Sequence, residues 1–84
     1  MTTLDGNALA GTLLAVFGEE LTTATATCAA CGASGEVARS VVYVRGPGAV
    51  ARCPACTSVL MVIVTVREIT CVDLRGLAAL ERST

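Results

Sequence analysis

Four of the five cysteines in this 84-residue chain form two C-x-x-C pairs, Cys28-Ala29-Ala30-Cys31 and Cys53-Pro54-Ala55-Cys56, separated by residues 32–52. Two residues between cysteines let one tight turn aim both sulfurs at one ion, and backbone N–H groups in the turn can donate to the thiolates. Gly32 follows the first pair, where such a turn asks for a residue with positive φ. Pro54 pre-sets φ inside the second turn. Thr57 stands where the second turn would usually carry glycine.

Four thiolates fill a tetrahedral ion and leave no open coordination position, so the expected site is structural rather than catalytic. One Zn2+ per chain, held by Cys28, Cys31, Cys53 and Cys56, is the expected cofactor, with Fe as the minority alternative on the same ligands. Two disulfides would need an oxidising compartment, for which the sequence carries no signal. Histidine is absent. There is no Ser-His-Asp set, no Cys-His pair and no glycine-rich phosphate loop, since Gly32 to Gly35 follows a cysteine turn rather than a strand. The chain is therefore expected not to be an enzyme.

The elements that must position the cysteines follow from periodicity. Asp5 is a candidate N-cap for a helix over about 5–17, with Leu4 and Leu9 placed for a hydrophobic staple. Leu9, Leu13, Val16 and Phe17 form its apolar stripe, and Gly18 ends it. A threonine-rich strand over 22–27 delivers the first turn. A hairpin over about 36–52, reversing at Gly46-Pro47-Gly48, delivers the second and brings the two together. In it Ala38, Ser40, Val42 and Val44 are expected to face the core. Val37, Arg39, Val41, Tyr43 and Arg45 share the other face.

Residues 58–67 are apolar on both faces, the pattern of a central strand or one covered by a partner. A last strand over 69–72 follows. Residues 74–82 read as a short helix capped by Asp73, with Leu74, Leu77 and Ala78 on one face and Gly76 marking a close approach. Cys71, the fifth cysteine, reads as a buried strand residue, with a redox-sensitive thiol or a substitute metal ligand as the sharper alternative. The Asp73–Arg75 pair reads as a cap with a solvated or paired guanidinium rather than as a partner contact.

One short chain makes one domain, 1–84, with too little interior to fold readily without a staple. At 54% hydrophobic residues and 15% charged, it has more apolar surface than such a domain can hide, which points to a protein partner or a homodimer. The lack of lysine, with six arginines, also fits a GC-rich genome. The formal net charge is −1. Four thiolates and a divalent cation make it about −3. With Arg39, Arg45, Arg52, Arg67, Arg75 and Arg82 scattered along the chain, this is not the footprint of a nucleic-acid binder. No basic leader and no apolar stretch long enough to span a bilayer is visible, so a cytoplasmic location without membrane contact is expected.

The opening Leu4-Asp5-Gly6-Asn7-Ala8-Leu9-Ala10-Gly11, both cysteine turns, Gly46-Pro47-Gly48 and Val72-Asp73-Leu74-Arg75-Gly76 together resemble a family of small actinobacterial zinc-ribbon-like proteins of unknown function. The resemblance implies the four ligands named above and no established activity. The turns themselves are similar to those of zinc ribbons and rubredoxins, though rubredoxins wrap their iron in aromatics and this chain has one Tyr, one Phe and no Trp. The expected fold is thus α+β: a small antiparallel zinc-ribbon (rubredoxin-like) sheet with an N-terminal helix and a short C-terminal helix. The expected function is a non-enzymatic, zinc-stabilised protein-interaction module. A nucleic-acid-associated ribbon and a rubredoxin-like iron carrier are the alternatives.

Overall fold

The structure, a computed structural model, describes residues 2–82. Strand β1 (Thr2–Asp5) comes first, so Asp5 belongs to a strand end before it serves as a cap. Its Oδ1 accepts the Asn7 N–H at 3.1 Å, starting a 3-10 turn over Gly6–Leu9 that runs into α1 (Ala10–Phe17). Gly18 closes α1 in the left-handed region at φ 75°, its N–H donating to the Leu14 carbonyl. The apolar stripe is only half used: Leu9 and Leu13 are buried, while Val16 and Phe17 are exposed. Leu4 is 41% exposed on β1 and does not act as a buried staple.

Seven more strands follow: β2 (Thr25–Cys28), β3 (Ser34–Glu36), β4 (Val41–Arg45), β5 (Gly48–Arg52), β6 (Val59–Val66), β7 (Ile69–Asp73) and β8 (Leu77–Glu81). They build a five-stranded sheet ordered β1-β4-β5-β6-β7 and a three-stranded sheet ordered β3-β2-β8, with every pairing antiparallel. The β4–β5 reversal uses only Gly46 and Pro47, with glycine at φ 54° in the first central position as a II′ turn requires. The β6–β7 reversal uses Arg67 and Glu68, both at positive φ without a glycine. Residues 37–39 form a 3-10 turn instead of continuing β4. Alternation is reset there, and Val37 is buried along with Ser40 and Val42.

Register and alternation give the large sheet an inner and an outer face. The inner rows Val42–Ala51–Met61 and Val44–Ala49–Ile63–Val72 pack into one cluster with Leu9 and Leu13 below α1 and with Ala26 of the small sheet. The outer face carries the row Tyr43–Val50–Val62–Asp73 and the pair Val66–Ile69, the last two 52% and 67% exposed.

The helix expected over 74–82 is not there. The Asp73 carboxylate accepts the Arg75 N–H at 2.9 Å and grips the Arg75 guanidinium, shaping a turn rather than a helix start. The chain then enters β8 and pairs with β2. The leucine spacing that reads as helical is satisfied by a bulge: Thr27 pairs with Ala79 but Cys28 with Leu77, leaving Ala78 extra. That extra residue lets Leu77 and Leu80 both pack on the core despite lying three apart. A second bulge, between Ala51 and Arg52 on β5 opposite Leu60, lets consecutive Leu60 and Met61 both be buried. Met61 joins the main core, whereas Leu60 packs with Cys28 and Cys53.

Candidate metal centre

Each cysteine pair is carried by the end of a strand and the turn that follows. Cys28 ends β2 and Cys53 follows β5. The two turns repeat one another at an offset of 25 residues. Gly32 N–H donates to the Cys28 carbonyl and Thr57 N–H to the Cys53 carbonyl, both at 2.9 Å. Cys28 N–H donates to the Ala33 carbonyl and Cys53 N–H to the Ser58 carbonyl, again at 2.9 Å. Such turns are stabilised only if the residue after the second cysteine accepts positive φ, and Gly32 (φ 76°) and Thr57 (φ 66°) do so.

The four sulfurs meet. Cys28 Sγ lies 3.7 Å from Cys56 Sγ, and Cys31 Sγ 3.7 Å from Cys53 Sγ. All four lie within 4.8 Å of one another. A tetrahedron with metal–sulfur bonds of about 2.3 Å has edges of about 3.8 Å. The closest sulfur contacts therefore match a shared ion, and the cysteines are free rather than bonded to each other. Cys28 and Cys53 are buried beneath Leu60 and Leu77, Cys56 is half-buried and Cys31 is exposed. The site has an inner pair on the core and an outer pair towards solvent.

Crowding sets the four sulfurs against one another. The Ser58 hydroxyl and then its amide hold Cys56 down at about 6. The Ala33 amide pulls Cys31 the same way, but the neighbouring sulfurs and burial outweigh it and push Cys31 up to about 12. One thiolate forms readily and the next does not, because like charges share the site. A divalent cation removes that conflict, so this cluster can hold a metal ion on four thiolates.

The β7–β8 turn braces the centre from the side. Ala29 N–H donates to the Gly76 carbonyl at 3.0 Å. A Cβ on Gly76 would collide with the Val59 carbonyl, so only glycine lets this turn wedge between the segments that carry the two cysteine turns. Cys71 lies on β7 but is exposed, not buried as expected, because the alternation of this edge strand turns it outward with Ile69, and it is not one of the clustered four.

The face read as shared by Arg39, Tyr43 and Arg45 is not continuous, because the 3-10 turn over Val37–Arg39 interrupts the strand. Arg39 sits in the 3-10 turn with its Nε 3.7 Å from Glu36 Oε1, off the face of Tyr43; the Arg45 side chain lies outside the described residues. Arg52 instead lies over the Tyr43 ring, 5.8 Å from its centroid. It also donates from Nη1 to the Thr57 carbonyl at 2.9 Å. The signal was available in the hairpin: counting back from Gly46-Pro47 pairs Tyr43 with Val50 and leaves Arg52 diagonal to the ring.

Among known protein families, one described as a family of unknown function (DUF6510) matches residues 1–84. The chain belongs to that family. No curated protein and no solved structure matches it. For this DUF6510 member, then, function is read from the site itself. Among the described residues no helix is long and apolar enough to cross a membrane.

Proposed function

We propose that this chain is a non-enzymatic zinc-binding module whose four-cysteine centre is structural. The sulfur cluster carries the reading: four cysteines from two separate strand ends converge within 4.8 Å. Zinc suits this donor set because four thiolates complete a tetrahedral d10 ion and leave no position for substrate. The ion would join β2 to β5 across two sheets of a chain with a small core, a linkage that can contribute on the order of 10 kcal/mol to folding.

The role that fits such a module is protein association in the cytoplasm, and the partner we assign is a second copy. The outer face of the large sheet supports this, with Tyr43, Val50, Val62 and Val64 side by side and Val66 and Ile69 exposed at one end. Asp73 at the edge of that face is already paired with Arg75, so the surface a second copy would cover is mainly apolar.

A second reading is rubredoxin-like iron on the same four thiolates, a donor set whose convergence suits either metal. Elemental analysis with a visible spectrum, on protein purified from its own host, separates the two. One zinc per chain without colour supports the proposal. One iron with thiolate-to-iron bands overturns it. Sedimentation at micromolar concentration tests the partner, and a strict monomer contradicts self-association.

A further inference from the structure

The two cysteine turns are hydrogen-bonded alike but not equally relaxed. Gly32 meets the left-handed requirement of the first at φ 76° with no side chain to clash. Thr57 meets it in the second at φ 66° although it is β-branched, a residue type for which that region is a genuine outlier. A turn held in such a conformation needs an outside restraint, because the neighbouring chain must over-determine it.

The restraint present is Arg52. Its Nη1 donates to the Thr57 carbonyl at 2.9 Å. Its guanidinium is kept in place by the Tyr43 ring, 5.8 Å away, on the adjacent strand β4. A planar fork suits this double duty, since it can stack and donate at once. Among the described residues the first turn has no such side-chain counterpart: its brace is the Ala29 to Gly76 hydrogen bond, and its left-handed residue is glycine.

We propose that Arg52 is a positioning residue for the metal centre. By holding the Thr57 carbonyl it keeps the second turn closed on Cys53 and Cys56, and that turn is the half of the site that opens when metal leaves. The inference rests on the four-thiolate metal reading and adds to it which half governs retention, and through which side chain.

The test follows release of zinc from the loaded chain to a coloured chelator at neutral pH. A residue in the left-handed region forgoes roughly one tenfold factor. Arg52→Ala should therefore release zinc about tenfold faster, and Arg52→Lys, which cannot stack and donate together, should stay fast. Thr57→Gly should release more slowly than the natural chain. In the Thr57→Gly background, Arg52→Ala should change the rate by less than about twofold, because nothing strained is left to hold. Equal Arg52→Ala effects in both backgrounds, or a Thr57→Gly chain that releases no more slowly, would overturn the proposal. The second outcome is readable even where Arg52→Ala does not fold. Failure of the underlying reading looks different: the natural chain would then take up no stoichiometric zinc.

Discussion

The two cysteine turns make a natural pair for comparison, since one hydrogen-bonding scheme is built on two different residues. The first turn relies on glycine and is tied down by the β7–β8 turn. The second places threonine in the same conformation and recruits Arg52 and Tyr43 from the sheet beside it. Identical backbone geometry therefore does not mean identical energetics. One side of the centre is relaxed by its own sequence and the other is kept in shape by its neighbours.

Ligand removal breaks the comparison most strongly. Cys53→Ser should abolish stoichiometric zinc and unfold much of the chain, because Cys53 is buried and the staple is worth on the order of 10 kcal/mol. Cys31→Ser, on the exposed side, should lower affinity but leave more residual structure. Metal content and far-ultraviolet circular dichroism on both variants check this.

The brace on the first turn is next. Gly76→Ala forces a collision with the Val59 carbonyl and should cost about 3 kcal/mol in chemical denaturation. Gly11→Ala, on α1 with open space around it, should instead stabilise by about 0.5–1 kcal/mol.

A control for strain away from the metal lies at Arg67-Glu68, where both residues have positive φ. Glu68→Gly should raise stability by about 1 kcal/mol while leaving the zinc release rate unchanged. A change in release there would mean that global stability, not the second turn, governs retention.

The smallest effect concerns the Asp73 turn. The Arg75 side chain, helped by its amide, holds the Asp73 carboxyl down at about 2, below its ordinary 3.8. A depressed carboxyl contributes stability that is present above 3.8 and is lost as pH falls through about 2. In an acid titration the natural chain should be slightly more stable than Asp73→Asn above pH 3.8, and the two should converge as pH falls through about 2, the gap staying small because the pair is exposed.

The ligand cluster was readable before any fold, because C-x-x-C spacing is a local property that survives whatever surrounds it. The same holds for Gly18 and Gly46, whose positive φ is a local demand. What was hidden depends on pairing between distant segments. Thr2–Asp5 becomes a strand only because β4 offers an edge, and Leu77–Glu81 because β2 does. The bulge at Ala78 disguised a strand as a helix by setting two core leucines three apart, and the bulge opposite Leu60 turned a strand's alternation into a continuous apolar run. The Arg52 contacts needed register as well as composition.

The measurement closest to the central claim is X-ray absorption at the zinc edge on chain loaded with one equivalent of zinc. Four sulfur scatterers at about 2.3 Å, with no nitrogen or oxygen in the first shell, is the predicted result. A shell of fewer sulfurs completed by lighter atoms would contradict a closed Cys28–Cys31–Cys53–Cys56 site.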